Sequence, residues 1–409
     1  MRLAERLGIL AVAILGASCE SAPVRGVNIP AGWFKGNTHT HTLWSDGDGA
    51  PELVSDWYSG HGYQFLVLSD HNILAEGEKW KKIGKGKGEV KPESLEALIA
   101  KFGKDAVALR GKDGAQEMRL QTLEELRARF EKPGAFIFIK GEEITDEFKK
   151  LPIHHNSLNH TGLIKPPHGE SVRETLQRTI EAVEAEAKKC GKPVLVHLNH
   201  PNFGWGVSAD DLAHVLGERF FEVYNGHRGV RNYGDKDHLG TEQIWDYVLA
   251  LRLGKLGGPP LFCLATDDAH NYHKIQEQEV ANPGRGWIFV RARELTGDAV
   301  VQAMLTGDYY ASSGVVLEDV RSDAQSLGVK VAAEAGVTYR IRFNGTRPGG
   351  EPGEVLQESA GAAASYRFKG DEYYVRATVV SSRKHPNGYD KADLESAWTQ
   401  PVVVRRGKP

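Results

Sequence analysis

Cysteine is scarce in this sequence, which has three cysteines in 409 residues. Because Cys19 lies in the N-terminal segment discussed below, Cys190 and Cys263 are the pair left for an internal disulfide. An oxidising compartment would permit that bond, but both cysteines lie on predicted buried elements, where cysteine packs as a small apolar residue. The sequence therefore excludes a fold that depends on a framework of disulfides.

A strong charge of either sign is also missing. The chain has 51 Lys and Arg residues against 54 Asp and Glu residues, which gives a net charge of −3. No overall field therefore attracts it to nucleic acid or to anionic lipid. There is also no basic stripe with interleaved aromatic residues, so no nucleic-acid partner is expected.

Long apolar runs are absent too, and the most apolar segment is the N-terminal "MRLAERLGILAVAILGASCE". Its apolar run, residues 7–15, is too short to span a bilayer, and with its flanking arginines and small residues it predicts a signal peptide over residues 1–19. The small residues before Cys19 resemble a bacterial lipobox, although Gly16 stands where leucine is usual. We expect an exported protein, either lipid-anchored in the envelope through Cys19 or periplasmic, with residues 20–32 as a tether; a plain N-terminal helix is the remaining alternative.

Strand and helix patterns alternate after the tether. Short apolar runs predict buried strands, and amphipathic segments such as "SVRETLQRTIEAVEAEAKKC" predict helices between them. This alternation indicates parallel strands with crossover helices. The strand candidates are "WFKGNTHTH", "YQFLVLSDH", "GAFIFIKGEE", "KPVLVHLNHP", "RFFEVYNG" and "PPLFCLATDDAH".

Almost every strand candidate ends in polar residues of the kind that bind metals. In a β/α barrel the carboxyl ends of the strands open on one face, where active sites lie. We therefore predict an α/β fold, a distorted barrel of about seven strands over residues 33–320; an open doubly wound sheet is the alternative.

Two segments depart from this pattern. Residues 76–134 are rich in Lys and Gly, which predicts a solvated surface insertion; a basic flap over an anionic substrate is the alternative. After residue 320, alternating strands separated by Gly-rich turns predict a small C-terminal β-sandwich domain over residues 321–409.

The segment "GNTHTHTLWSDGDG" is the first candidate for chemistry. On an extended backbone His39 and His41 face the same way, so two imidazoles can bind one divalent cation. Asp268 and His270 repeat this spacing at the end of another strand. Acids and imidazoles gathered in one barrel mouth would repel or stay unsatisfied without a cation, so their convergence predicts a metal site.

These motifs resemble the PHP (polymerase and histidinol phosphatase) superfamily of metal-dependent hydrolases, which have a distorted seven-stranded β/α barrel. The stretches "NHPNFGWG", "EVYNG" and "YYASSG" further resemble an exported branch that includes a carbamate-hydrolysing enzyme. The resemblance covers residues 33 to about 275, and to about 320 for that branch. The matching motifs, in the order of the family, are "HTH" at 39–41, "SDG" at 45–47, "SDH" at 69–71, "GEE" at 141–143, "HHN" at 154–156, "NHP" at 199–201 and "DDAH" at 267–270.

The resemblance implies two or three divalent cations and distributes the matching residues among them. Glu143 would bridge the first ion to a second. The implied ligands are His39, His41, Glu143 and Asp268 for the first ion, Glu143, His155 and His200 for the second, and Asp46, His71 and His270 for the third.

Three of these assignments fall on doublets, at 142/143, 154/155 and 267/268. In a strand only one member of a doublet can point into the mouth. The Gly-x-Glu pattern favours Glu143, the following asparagine favours His155, and the spacing to His270 favours Asp268.

Three further residues are candidates for catalysis. Asp70, beside His71, could orient an imidazole, or it could merely cap a strand end. Arg228 and Arg231, with His227, directly follow a strand end, where arginine suits a phosphate or a carboxylate; a plain surface loop is the alternative.

Together these patterns predict a metal-dependent hydrolase that uses a cation-activated water, most simply a phosphoesterase acting on a small anionic substrate. Hydrolysis of a carbamate, ester or amide at the same site is the main alternative, and a non-catalytic module that binds the envelope is a further one. Zinc, manganese and iron all suit the ligands. The sequence specifies no oligomeric state.

Overall fold

The computed structural model describes residues 29–112, 115–275, 277–388, 390 and 392–404, and shows a mixed α/β protein. Its twenty strands are β1 Trp33–Asn37, β2 Phe65–Leu68, β3 Trp80–Lys82, β4 Leu109–Arg110, β5 Glu117–Arg119, β6 Ile137–Phe148, β7 Leu151–Leu158, β8 Leu195–Leu198, β9 Phe220–Asn225, β10 Phe262–Thr266, β11 Trp287–Arg291, β12 Tyr309–Ser312, β13 Leu317–Ser322, β14 Ser326–Val331, β15 Tyr339–Thr346, β16 Glu354–Ala360, β17 Ala363–Arg367, β18 Tyr374–Lys384, β19 Leu394–Thr399 and β20 Val402–Val403. Its α-helices are α1 Pro51–Gly60, α2 Pro92–Phe102, α3 Leu123–Phe130, α4 Val172–Cys190, α5 Ala209–His214, α6 Thr241–Leu251 and α7 Gly297–Leu305.

The helices begin and end at residues with a clear local cause. The longest helix, α4, begins after Ser171, whose hydroxyl accepts the amide of Glu174, and ends at Gly191 in the left-handed conformation. A serine cap satisfies one of the free amides of the first turn, and glycine adopts positive φ at little cost. The helix places Leu176, Ile180 and other apolar residues against the sheet.

A 14-stranded sheet organises the molecule, in the order β10-β9-β8-β7-β6-β2-β1-β11-β12-β19-β18-β15-β16, with β20 beside β18. The pairs β1–β2, β2–β6, β8–β9 and β9–β10 are parallel. An isolated parallel bridge between Thr40 and Ala269 joins the chain just after β1 to the chain just after β10. The carboxyl ends of both strands therefore meet at one place.

The regular strand–helix alternation expected from the sequence is interrupted in the middle of this sheet. β6 and β7 form an antiparallel hairpin, and β7 pairs antiparallel with β8. The hairpin turn is made by Lys149 and Lys150, which both have positive φ. Two such residues form the tight turn whose twist suits a hairpin, so no crossover helix is needed there.

The insertion at residues 76–134 has structure of its own. Strands β3, β5 and β4 form a small antiparallel sheet that shares an apolar cluster with α2, and Arg119 of β5 pairs with Glu125 of α3 at 2.6 Å. Its apolar residues, among them Leu98 and Met118, pack around Trp44, whose indole N–H donates to the carbonyl of Gln121 at 2.9 Å. The insertion is therefore anchored on the loop that follows β1.

The C-terminal strands form two groups. β13, β14 and β17 make a separate three-stranded sheet, whereas β19, β18, β15 and β16 continue the large sheet beyond β12. The buried pair between Arg376 of β18 and Asp246 of α6 also ties this part to the rest, at 2.6 Å. The domain boundary predicted at residue 320 falls inside β13.

The predicted signal peptide, Cys19 and the first part of the tether lie outside the described residues. In the described part of the chain, no helix is both long enough and apolar enough to cross a membrane. Cys190 and Cys263 are both free thiols; Cys263 is buried, as predicted, whereas Cys190 at the end of α4 is only partly buried.

Candidate metal centre

Side chains from six strands of the large sheet, or from the residues just after them, converge at one place. His39 and His41 follow β1, His71 follows β2, and Glu143 lies within β6. A parallel bridge between His71 and Glu143 brings the second and third of these segments together. The remaining members are His154 from β7, His200 just after β8, and Asp268 and His270 just after β10.

The most buried group consists of His39, His41 and Asp268. Oδ1 of Asp268 lies 3.3 Å from Nε2 of His39 and 3.2 Å from Nε2 of His41. The side chains are almost fully buried, at 0%, 0% and 5% exposure. Two imidazole nitrogens and one carboxylate oxygen thus face a common point.

Glu143 occupies the centre of the whole cluster. Its Oε1 lies 3.5 Å from Nε2 of both His39 and His200, and 3.1 Å from Nδ1 of His154. Its Oε2 lies 3.3 Å from Nε2 of His41 and 2.7 Å from Nδ1 of His71. A carboxylate that reaches five imidazoles can bridge neighbouring cations.

A third group lies at the exposed edge of the cluster. Oδ1 of Asp46 is 3.5 Å from Nε2 of His270, 3.6 Å from Nε2 of His71 and 3.8 Å from Nδ1 of His41. The side chain of Asp46 is 52% exposed, so this group borders on solvent. Four candidate metal-binding groups occur among the residues that the structure describes, and the largest of them consists of His41, His71, Asp46 and His270.

The donor atoms fit a set of divalent cations. Nε2 of His39 and Nε2 of His41 are both buried without a hydrogen-bond partner. Buried polar atoms without a partner are rare in native proteins, because each costs about 1–3 kcal/mol. Here both nitrogens face the carboxylates of the cluster, and imidazole nitrogen with carboxylate oxygen is the ligand chemistry of zinc, manganese and iron.

The electrostatics of the buried groups are strongly coupled. Burial raises the pKa of the Asp268 and Glu143 carboxyls, but the neighbouring histidines outweigh it and hold both pKa values well below their usual range. Burial, reinforced by the charges of His270 and His71, lowers the pKa of His41 to about 3. The acids are therefore ionised and His41 is neutral near pH 7, the forms in which both bind metals.

The two acidic doublets separate into one inward and one outward member. Asp267 accepts the amides of Arg285 and Gly286 at 2.6 and 2.9 Å and the Tyr58 hydroxyl at 2.8 Å, so it anchors backbone. Glu142 accepts the amide of Ile164 at 2.7 Å on the other side of β6. In both doublets the member favoured by the sequence faces the cluster.

The histidine doublet corrects the sequence-based choice of His155. Nε2 of His155 lies 2.8 Å from the buried carboxylate of Glu218, away from the cluster. His154 instead joins Glu143 and His71 in a candidate metal-binding group. The register of the hairpin explains this. Glu143 lies opposite Asn156 and Thr145 lies opposite His154, so His154 points to the same face of the sheet as Glu143. His155 lies opposite Ile144 and points to the other face.

Asp70 has a positioning role in place of the catalytic role expected for it. Its carboxylate accepts the amide and hydroxyl of Thr42 at 2.8 and 2.9 Å, and those of Ser45 at 3.0 and 2.6 Å. All four contacts go to the loop that carries Asp46. Asp70 therefore fixes the position of this loop, and its carboxylate oxygens are used on the loop and not on the metal-binding cluster.

The two arginines expected to bind the substrate are engaged on the surface. Nε of Arg228 lies 3.0 Å from a carboxylate oxygen of Glu279, and the guanidinium of Arg231 lies 5.4 Å from the ring of Trp205. Their neighbour His227 does approach the cluster, with its ring 5.2 Å from that of His270. The structure thus brings the histidine of this loop, rather than its arginines, to the metal centre.

Glu222 is a functional residue that the sequence reasoning missed. It is buried in β9 and accepts four hydrogen bonds, from His39 Nδ1 at 2.7 Å, Thr266 Oγ1 at 2.8 Å, the His200 amide at 2.8 Å and Asn225 Nδ2 at 2.7 Å. Because Nδ1 of His39 donates to this carboxylate, Nε2 is the nitrogen left to face the cluster, where a cation would take the place of its proton. An acid inside the apolar run "RFFEVYNG" was the available signal.

No protein-family model and no curated protein matches this chain. Among solved structures, a two-domain protein from Bacteroides vulgatus, described as containing a predicted PHP-like metal-dependent phosphoesterase, is 13% identical, with 94% of this chain and 99% of that chain covered and a TM-score of 0.42. A putative metal-dependent phosphoesterase from Bifidobacterium adolescentis is 14% identical, with 66% and 95% covered and a TM-score of 0.32. An amidohydrolase from Chromobacterium violaceum, solved with bound sulfate and no metal, is 13% identical, with 60% and 90% covered and a TM-score of 0.31. The reaction of this chain is therefore inferred from its own site.

Proposed function

We propose that the protein is a metal-dependent hydrolase of the PHP type, and that it is a phosphoesterase. One observation carries the proposal: the four candidate metal-binding groups share ligands. His41 belongs to two of them, as do His39, His71 and Glu143. Shared ligands keep cations close together, as in two-metal hydrolases, where the ions lie about 3.5–4 Å apart.

Bound cations would supply a water of lowered pKa and neutralise charge on the substrate oxygen. The residues of the chain hold and orient this centre. Glu222 fixes the tautomer of His39, and Asp70 fixes the loop of Asp46. His227, whose pKa burial lowers, lies beside His270 at the open side and is placed to contact the substrate as a neutral imidazole.

The proposal includes the closed seven-stranded barrel predicted from the sequence. The bridge between Thr40 and Ala269, with the hydrogen bonds from the His41 amide to Ala269 and from the Asp268 amide to His39, supports it. These contacts bring the first and last strands of the β1-to-β10 array together at the metal centre. Export to the envelope, with or without a lipid on Cys19, is likewise part of the proposal.

Hydrolysis of a carbamate or ester is the second candidate, and Phe203 favours it. The ring of Phe203 lies 5.2 Å from that of His200, 6.2 Å from that of His154 and 6.0 Å from that of His227. It presents an apolar surface beside the centre, which suits an apolar or aromatic leaving group.

The test is a metal analysis coupled to a substrate panel. The purified protein should contain at least two equivalents of zinc, manganese or iron by elemental analysis and should hydrolyse an aryl phosphate monoester. An aryl phosphodiester and an aryl carbamate with the same leaving group are run in parallel. A metal-loaded protein that cleaves the carbamate alone would favour the second candidate, and one that cleaves none of the three would refute the hydrolase.

A further inference from the structure

Two lysines of the insertion reach the loop that carries Asp46. Nζ of Lys81 donates to the carbonyl of Ser45 at 3.1 Å and to that of Gly88 at 3.1 Å. Nζ of Lys79 donates to the carbonyl of Trp44. Both ammonium groups therefore lie beside the residues that immediately precede Asp46, at the open edge of the metal centre.

Strand geometry explains why these two lysines, and not their neighbour, face the site. Side chains alternate along the extended chain, so Lys79, just before β3, and Lys81, within it, share one face while Lys82 lies on the other. Lys82 is 62% exposed and pairs with Glu89 at 3.5 Å. Lys79 and Lys81 are half-buried between the insertion and the loop.

Neither inward lysine forms an ion pair in the described part of the chain. Their nearest acidic influences are Asp70 and, for Lys81, Asp46, but no carboxylate oxygen lies within ion-pairing distance of either ammonium group, whereas Lys82 pairs with Glu89. Burial lowers the pKa of both lysines, and for Lys79 the positive charge of Lys81 lowers it further, which indicates two like charges close together. The negative charges of Asp70 and, for Lys81, of Asp46 offset this only in part, so an added anion beside the two half-buried cations would be favoured.

We propose that Lys79 and Lys81 form an anion-binding subsite at the edge of the metal centre, which holds an anionic group of the substrate. This inference rests on the proposed hydrolase, and it assigns to the insertion the role that Arg228 and Arg231 do not fill. An ammonium group has three N–H donors. Lys81 uses two of them on carbonyls and Lys79 one, so donors remain for phosphate or carboxylate oxygens, and lysine binds phosphate as a point charge.

The lysines also hold the loop, so the experiment separates binding from anchoring. Lys79→Met and Lys81→Met keep most of the apolar stem and remove the charge, singly and together, and Lys82→Met is the matched control on the opposite face of β3. The first measurement is the dissociation constant of inorganic phosphate, by titration calorimetry, for the metal-loaded and the metal-free protein. The second is KM and kcat for the aryl phosphate monoester and for an uncharged aryl ester, where turnover exists.

Loss of one charge-assisted contact should weaken phosphate binding about tenfold, and loss of both about a hundredfold. KM for the monoester should rise by similar factors with little change in kcat, while KM for the uncharged ester and the metal content stay within about twofold of the parent. Lys82→Met should match the parent, and Lys81→Arg should restore part of the affinity because it keeps the charge.

Phosphate affinity that is unchanged in the double variant would overturn the proposal. So would an equal loss for the charged and the uncharged substrate accompanied by loss of metal, because the lysines would then act only by holding the loop. The phosphate titration does not need turnover. A protein that binds phosphate through the lysines but hydrolyses nothing would refute the hydrolase and leave the subsite standing.

Discussion

Replacing Glu222 by glutamine tests whether this buried acid positions the metal centre. The four donors on the carboxylate come from His39 and Thr266 at Oε1 and from His200 and Asn225 at Oε2. A glutamine has one acceptor oxygen, so in either orientation its NH₂ group faces two of these donors. Both hydrogen bonds are lost and the buried donors stay unsatisfied.

The expected loss follows from those two contacts. Each buried, unsatisfied donor costs about 1–3 kcal/mol, so the free energy of unfolding of the metal-free protein should fall by about 2–6 kcal/mol. The imidazole of His39 also loses the acceptor that fixes its tautomer, and loss of such a partner weakens metal binding by about 10–100-fold. Competition with a chelator of known affinity, read by elemental analysis, measures the second effect, and urea unfolding measures the first.

Glu142→Gln is the matched control. Glu142 is also a buried glutamate, but burial raises its pKa to about 8, so it is protonated at neutral pH and resembles glutamine in charge. It accepts one amide, that of Ile164, which a glutamine oxygen can also accept. Its substitution should change stability by less than about 1 kcal/mol and leave metal affinity unaltered. Should Glu222→Gln bind metal as tightly as the parent protein, the positioning role of Glu222 would be refuted. Glu222→Asp keeps the charge on a shorter side chain, so its metal affinity should lie between those of the parent protein and of Glu222→Gln.

The remaining predictions concern other residues. His154→Ala should lower the number of bound metal ions, which elemental analysis measures. His155→Ala should leave that number unchanged but lower the free energy of unfolding by roughly 3 kcal/mol, because Glu218 loses its buried partner; urea unfolding measures this loss. Asp70→Asn should weaken metal binding at the exposed edge, seen as one fewer ion per chain at limiting metal, and an unchanged stoichiometry would contradict the positioning role. Burial lowers the pKa of Lys35 from 10.5 to about 7, so between these values the unfolded chain binds more protons and stability rises with pH. Lys35→Met should remove that rise, on the order of 1 kcal/mol per pH unit, and parallel pH slopes for the two proteins would contradict it.

The sequence was sufficient for the parts of the site that depend on strand ends. His39, His41, Asp268 and His270 follow short apolar runs, and the carboxyl ends of adjacent parallel strands meet at one edge of a sheet. The hairpin of β6 and β7 was not visible in this way, because a Lys-Lys turn carries none of the usual Gly or Asn signals. Without the turn, the register between β6 and β7 could not be predicted. That register places Glu143 and His154 on one face of the hairpin and would have favoured His154 over His155.

The roles of Asp70 and Arg228 needed the structure for a different reason. Each follows the end of a strand, where catalytic residues are common. The residue that it contacts is far away along the chain, and no sequence pattern predicts that contact. Asp70 is saturated by Thr42 and Ser45, and Arg228 lies against Glu279. Similarly, the position of Lys81 depends on how the insertion packs on Trp44, which no local pattern records.

The acidic doublets show how neighbouring residues of one chain acquire opposite chemistry. Burial favours the protonated form of all four acids. Glu142 and Asp267 face backbone amides, which compensate only in part, so the pKa of each is raised. Glu143 and Asp268 face the imidazoles, which reverse the effect and lower the pKa of each well below its usual range. Along β6 the backbone turns successive side chains to opposite faces, so the phase of that alternation, and not residue type, decides that Glu143 rather than Glu142 faces the cluster. Asp267 and Asp268 are divided in the same way just after β10, where the positive φ of Asp268 turns its side chain away from that of Asp267.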